Sequence, residues 1–277
     1  SAKPAPDKLA RSVEAAASQA TAPKLHDTAV VDMVLTVESK WANPLNEYSA
    51  RPMRREKPCS AVRIDKNWLM ASLTCRGVGE IATAYDHNGN SYDKKVAYRK
   101  IIKAEVRSKA RHQRDKITAD RIFVDEQAQV ILLHMNLIDE DLADEVKNVS
   151  VAPVLIPQNP ATIKDNMTSA FINRERPLNF GRCSDCVGIK EYCEGSQCYK
   201  AEWEVIDGDA GDPLFVTKGS KEFLAGFNKA EIIGESPESG KMYKAFTPAT
   251  KAALEKILKA KDPAAWNRVK ASIRTAL

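Results

Sequence analysis

The chain has 277 residues, 43% of them hydrophobic, which is enough for one large β domain or two small ones with buried cores. Its 42 basic and 37 acidic residues leave a net charge of +5, too small an excess to demand a nucleic-acid partner. No apolar run approaches the roughly 20 residues of a membrane helix, so a helical membrane span is excluded. In chain order, Pro6 to Ala20 places Leu9, Val13, Ala16 and Ala20 at helical spacing, with Asp7 near the start, and predicts an amphipathic helix that Thr21-Ala22-Pro23 ends. The β-branched run from Thr28 to Val37 predicts a first strand. Trp41 to Lys57 holds Asn43, Pro44, Asn46 and Pro52 among several arginines and is expected to be a loop. Ala61 to Ile64 and Trp68 to Ala71 then predict paired strands around an Asp65-Lys66-Asn67 turn.

Ile81 to Tyr92 predicts a hairpin with Asn88-Gly89 at its turn, and His87 beside that turn reads as an exposed bystander. Tyr98 to Lys116 is the most basic stretch, with Arg99, Lys100, Lys103, Arg107, Lys109, Arg111, Arg114 and Lys116 against only Glu105 and Asp115. The plainer reading is a solvated edge strand running into a loop, its lysines blocking aggregation. The sharper one is an anion-binding surface for a glycan or nucleic acid, joined by Arg51, Arg54 and Arg55. The stretch lacks the interleaved aromatics that stack bases, which favours the plainer reading. Gln129 to Met135 and Met167 to Asn173 complete the clear strands of this part.

Six cysteines fall into two groups. Cys59 and Cys75 sit on adjacent strand-like runs, and their spacing predicts a disulfide; Cys183, Cys186, Cys193 and Cys198 crowd into one loop and are expected to pair among themselves. An even count in this pattern favours an oxidising compartment, hence a secreted or periplasmic protein. The start at Ser1, without a methionine, fits a processed secretory product or a trimmed chain. A four-cysteine zinc site is the rival for the second group, because Cys183 and Cys186 have ligand spacing. It ranks lower, since the Cys193 to Cys198 interval is not the usual short knuckle. Neither a metal nor a cofactor is expected.

The stretch Asp207-Gly208-Asp209-Ala210-Gly211-Asp212-Pro213-Leu214-Phe215 predicts a tight loop feeding a strand and presenting backbone N–H groups in front of it, as an oxyanion hole does. It resembles the Gly-Asp-Ser-Gly-Gly-Pro-Leu motif of the trypsin-like (chymotrypsin-fold) serine proteases. Gly208, Asp209 and Ala210 match the oxyanion loop, and Ala210 stands where that family keeps its nucleophilic serine. Cys59 to Cys75 resembles the family's cysteine, strand and Trp-Val-Leu-Thr-Ala-Ala-His-Cys segment, with Thr74 in the place of the general-base histidine. Gln129 to Met135 resembles Asp-Ile-Ala-Leu-Leu-Lys-Leu, with Gln129 in the place of the orienting aspartate. Asp125 and Glu126 lie upstream in that register, and His134 alternates off the aspartate face. Glu204 matches the floor of the specificity pocket, although Ile206 replaces the pocket's flanking cysteine. Phe223 to Phe227 and Lys241 to Thr247 resemble the last strand pair. Thr247-Pro248 would cap the family's terminal helix, and Asp262-Pro263 opens one helix more, carrying Trp266, Val269 and Ile273.

This resemblance spans about residues 28–260. It implies an all-β protein of two antiparallel six-stranded β-barrels with a C-terminal helix and extra terminal helices. The implied organisation is a helical extension over 1–27, a first barrel over 28–145, a second barrel with the family helix over 146–261, and an added helix over 262–277. With Thr74, Gln129 and Ala210 at the triad positions, no catalytic residue remains in the expected places. The chain is thus expected to be a secreted, inactive member of the family, a pseudoprotease that binds another protein. A polyanion-binding module built on 99–116 is the alternative. An active protease carrying an engineered serine-to-alanine change at 210, or an enzyme working through unrelated residues, ranks below both.

Overall fold

The computed structural model describes residues 28–42, 51–77, 81–107, 116–137, 147–154, 167–171, 179–183, 185–187, 199–203, 211–218, 220–235, 242–248 and 251–273. They form two antiparallel sheets followed by two helices. The first sheet holds β1 (Val30–Ala42), β2 (Met53–Asp65), β3 (Trp68–Ser72), β4 (Ile81–Tyr85), β5 (Ser91–Arg107), β6 (Lys116–Thr118), β7 (Arg121–Asp125) and β8 (Val130–His134). Its order is β4-β5-β1-β2-β3-β8-β7, with β6 also on β5. The second holds β9 (Met167–Phe171), β10 (Asn179–Cys183), β11 (Asp185–Val187), β12 (Tyr199–Trp203), β13 (Pro213–Lys218), β14 (Lys221–Glu235) and β15 (Met242–Pro248), in the order β10-β9-β13-β14-β15-β12-β11. The architecture is therefore all-β and antiparallel, as the trypsin-like resemblance implies, with eight and seven strands where six and six were expected.

The first sheet curls back on itself. Ala119 donates its N–H to the Ala104 carbonyl of β5 (2.8 Å), and the next residue, Asp120, donates to the His134 carbonyl of β8 (3.1 Å), so two consecutive residues stitch strands from distant parts of the sheet order. The curl gives β3 and β8 a protein-filled space on both faces. Leu69, Ala71, Ile131 and Leu133 enter a core inside the first sheet, with Met33, Leu35 and Val106. The alternate residues Trp68, Met70, Val130 and Leu132 enter a second core, shared with Phe215, Leu224 and Phe227 of the other sheet. Strands buried on both faces need an unbroken apolar run rather than an alternating one, which is why the sequence VILLH is a strand.

One buried arginine ties the sheets together. Arg63 of β2 donates to the carbonyls of Lys66 (3.0 and 2.6 Å), Lys147 (2.9 Å) and Val149 (2.6 Å). Its backbone carbonyl accepts from Ala152 (2.8 Å), and the Pro153 carbonyl accepts from Leu224 of β14 (2.8 Å). Residues 147–154 thus lie between the sheets as a hydrogen-bonded strap. Burial pushes the Arg63 guanidinium below its usual pKa, while Asp65 acts in the opposite direction.

The helices are α1 (Lys251–Lys261) and α2 (Pro263–Ser272). Asp262 caps α2 through its carboxylate, which accepts from Ala265 N–H (3.1 Å), and Pro263 occupies the first turn, as Asp262-Pro263 predicts. Leu254, Leu258, Trp266 and Val269 enter the shared core. The apolar face of the added helix is thereby covered by the sheets themselves. Trp68 Nε1 donates to Asp262 Oδ2 (2.9 Å), and Arg268 grips Asp65 through two bonds of 2.8 and 2.9 Å.

Three local expectations change. Met53 to Lys57 and Trp41-Ala42 are strand rather than loop, because β1 and β2 continue as a two-stranded extension in which Ser39 faces Met53 and Glu38 faces Arg54. The basic stretch is an edge only in part: Arg99, Lys100 and Lys103 pair with β1 alone, as the plainer reading expects, whereas Arg107 lies between β1 and β6, because β4 reaches only Ser91 to Lys95 and β6 only Glu105 to Arg107. Thr247-Pro248 ends β15, Pro248 pairing with Gly226, and α1 begins at Lys251, so these residues do not cap the helix. The Asn88-Gly89 hairpin is present, with Gly89 at φ 81° and Asp86 Oδ1 accepting from the N–H groups of Asn88 and Asn90 (2.9 Å each). The expected helix over Pro6 to Ala20 lies outside the described residues. No helix among the described residues is long and apolar enough to cross a membrane.

Candidate functional site

Thr74 lies on a single 3-10 turn, Leu73–Arg76, that follows β3 directly. Ser72 caps this turn: its hydroxyl accepts from Thr74 N–H (3.2 Å) and lies 2.7 Å from the Thr74 hydroxyl. The predicted Cys59–Cys75 disulfide is formed, with Cα atoms 5.7 Å apart, and it fastens the turn to β2. On the other side of the turn, Leu73 N–H donates to the Gln129 carbonyl (2.9 Å). Gln129 has φ 58° and its side-chain amide donates to the Glu126 carbonyl, so the side chain is folded back on its own turn. Two stretches that are far apart in sequence therefore meet through their backbones at Leu73 and Gln129.

The glycine-rich loop joins them from the second sheet. Gly211 has φ 85°, and a Cβ placed there would fall 2.6 Å from Cys75 Sγ, 2.7 Å from Cys59 Sγ and 3.4 Å from Thr74 Oγ1. Only a residue without a side chain fits between that disulfide and the loop, and only such a residue adopts this φ without strain. Asp212 follows it and is 5% exposed. Gly208, Asp209, Ala210 and Glu204 lie outside the described residues, as do the side chains of Cys183 and Cys186 and the whole of Cys193 and Cys198. Their expected roles and pairings are untouched by the geometry.

Two acidic residues beside Gln129 have structural partners. Asp125, 8% exposed, accepts from Ala128 N–H (2.9 Å) and so closes the β7 to β8 turn, an Asx arrangement that Asp-x-x-Ala spacing makes readable. Glu126 forms a two-pronged ion pair with Arg76 (2.7 and 3.2 Å). The imidazoles among the described residues lie elsewhere. His134 is at the far end of β8, four residues from Val130 and thus roughly 13 Å along the strand; its Nδ1 is 2.7 Å from Asp120 Oδ1, and its ring stands edge-on to Trp68 at 5.0 Å. His87 is in the exposed turn between β4 and β5. The atoms that press on Gly211 are the two disulfide sulfurs and the Thr74 hydroxyl, and a hydroxyl has no useful basicity near neutral pH.

The basic stretch is interleaved with acids. Arg54 pairs with Glu38 (3.2 Å), Arg107 with Glu56 (2.9 Å), Lys103 with Glu105 (3.4 Å), and Lys116 stands 4.0 Å from both Glu56 and Glu105. Lys100 lies over the Tyr98 ring at 5.0 Å. Lys109, Arg111 and Arg114 lie outside the described residues.

No known family profile and no curated protein sequence matches the chain. Solved serine-protease structures do. Protease Anisep from Arthrobacter nicotinovorans is 12% identical over 84% of this chain and 96% of its own, with a TM-score of 0.46. A thermostable serine protease, AL20, from an extremophilic microorganism is 11% identical over 80% and 93%, with a TM-score of 0.44. The HtrA-type protease AlgW, bound to a decapeptide, is 17% identical over 83% of this chain and 63% of its own, with a TM-score of 0.46.

Proposed function

We propose that the chain is a catalytically inactive, trypsin-like pseudoprotease that binds another protein, acting in a secreted or periplasmic setting. The observation that carries the reading is the surroundings of Gly211. Gly211 packs on the Cys59–Cys75 disulfide beside the Thr74 hydroxyl, which supports the reading that Thr74 takes the place of the general base. Gln129, at the position of the orienting acid, spends its side-chain amide on the Glu126 carbonyl. Among the described residues, neither imidazole lies beside Gly211: His134 is at the far end of β8 and His87 in the exposed β4 to β5 turn, which supports the absence of a general base there. The disulfide supports the oxidising compartment. In this reading residues 28–145 and 146–261 form the two barrels, and 262–277 the added helix that closes their shared core.

The ion pairs along β1, β2 and β5 weigh against the polyanion alternative, because a strip of alternating charges releases few counterions. The test is to restore the nucleophile. Ala210→Ser should stay unlabelled by a fluorophosphonate probe and should not cleave a mixed peptide library, since triad members act as a unit and one restored member recovers little. An oxyanion loop alone leaves a residual of only about 10³ to 10⁴ over water. Rapid labelling of the new serine would mean that another base serves this site and would overturn the reading.

A further inference from the structure

Among the described residues, three stretches of the first sheet have a strand on one side only, and two of them are blunted against further pairing. Met53 to Ala61 of β2 pair with β1 alone; this stretch carries Pro58, which has no N–H to offer, together with Arg54, Arg55 and Lys57. Arg99 to Lys103 of β5 also pair with β1 alone. They include Lys100 and Lys103 and a bulge, because Thr36 faces Lys103 and Val37 faces Ile101, with Ile102 left over. The third stretch is β7, which ends the sheet and pairs with β8 alone. Its register is unbroken, and it has neither proline nor lysine. Three consecutive apolar residues, Ile122, Phe123 and Val124, form its centre, and Val124 is 40% exposed. Such an edge leaves alternate N–H and C=O groups, and an apolar rim, open to one more strand.

The strand is complementary to itself. A two-fold axis perpendicular to the sheet keeps each side chain on its own face, so antiparallel pairing of β7 with a copy of itself must centre on a residue. Centred on Ile122, the pairing would set Arg121 against Phe123 and Val124 against Asp120; centred on Val124, it would set Phe123 against Asp125. Centred on Phe123, it sets Ile122 against Val124 on one face and Arg121 against Asp125 on the other. Apolar residues and opposite charges then meet at cross-strand distance, ~4.5–5.5 Å between Cβ atoms. We propose that β7 pairs with β7 of a second copy of this chain, centred on Phe123, so that the first sheets of two molecules become one. Both charged residues are held in place beforehand: Arg121 lies over the Trp68 ring at 5.4 Å and 3.9 Å from Asp120, and Asp125 accepts from Ala128 N–H (2.9 Å). One five-residue strand from each copy makes a small interface, and the dimer is reversible rather than obligate.

The experiment is sedimentation velocity of the full chain from roughly 1 μM to 1 mM, the span in which a small interface associates. The sedimentation coefficient should rise from the monomer to the dimer value, while hydrogen exchange slows at alternate β7 amides and not along Met53 to Ala61. Val124→Lys and Val124→Glu each set a charge against Ile122 and should weaken the dimer by about tenfold or more; using both guards against one that fails to fold. Arg121→Glu, which faces Asp125 with like charge, should also weaken it, whereas Arg121→Lys should stay within about threefold of the wild type. Lys100→Ala, on a blunted stretch, should change nothing. A monomer at every concentration overturns the inference, as does a dimer undiminished in a folded Val124 variant or one that leaves β7 exchange unaltered. A dimer lost in Lys100→Ala places the contact on β5 and overturns it too. The inference is independent of the protein-binding reading, which none of these outcomes alters.

Discussion

Gly211 is the residue on which the second sheet approaches the first. The glycine pattern of the loop is readable in the sequence as a tight turn, but the reason for this glycine is not: the two sulfur atoms behind it come from positions 59 and 75. Gly211→Ala would place a methyl 2.6 Å from Cys75 Sγ while forcing an L-residue to φ 85°. We expect a loss of about 3 kcal/mol, combining overpacking with backbone strain, measured by urea unfolding. A change below about 0.5 kcal/mol would mean the loop can retreat from the disulfide. Gln129 shows the converse limit. Its position ahead of an apolar strand is legible, whereas its left-handed backbone is not, because glutamine carries no sequence preference for that conformation.

At the scale of elements, α2 and its cap link sequence to stability most directly. Asp262-Pro263 predicts the helix start, yet the partners of Asp262 lie far away in the chain. Burial alone would raise the Asp262 pKa; the bond from Trp68, the bond from Ala265 N–H and the charges of Arg268 and His134 outweigh it and hold the carboxyl below the usual range. A depressed folded pKa means that the stabilisation is present above the unfolded value of about 3.9 and is lost as pH falls through the lower folded value. The melting temperature of the wild type should therefore fall across that acid window more steeply than that of Asp262→Asn, which carries no charge to lose. Parallel curves would remove Asp262 from the acid response. At neutral pH, Asp262→Ala should cost about 2 to 3 kcal/mol, from the cap and from the Trp68 N–H left without its acceptor. The β1 to β2 extension was hidden in the sequence for a different reason. Arg54, Arg55, Glu56 and Lys57 fill this stretch between Pro52 and Pro58, and the strand forms because β1 offers a partner rather than because these residues favour it.

Across the whole molecule, the two sheets and both helices share one core, in which Trp68 and Leu132 meet Phe215, Leu224 and Phe227 beneath Leu254, Leu258 and Trp266. The all-β class was legible from short strand-like runs and turn residues. The strand order was not, since it depends on pairings between distant segments, β1 with β5 and β3 with β8. A shared core couples the halves, so calorimetric unfolding should give one transition whose calorimetric and van't Hoff enthalpies agree. Two resolved transitions would show that the strap over 147–154 joins independently stable units. Replacing Cys59 and Cys75 together by alanine should shift that single transition downward by about 3 kcal/mol, the loop-closure value for a ring of this size, without splitting it.

The bond from Trp68 to Asp262 joins residues 194 positions apart. At a synthesis rate of roughly 5 to 20 residues per second, this separation corresponds to a wait of about 10 to 40 s. Throughout that interval Trp68, Met70 and Leu132 present a strand face whose final cover does not yet exist. Completion of the core thus waits on helices that follow both sheets in the chain: the first sheet is sealed by elements made long after it, and any agent that shields nascent apolar surface has its longest task there.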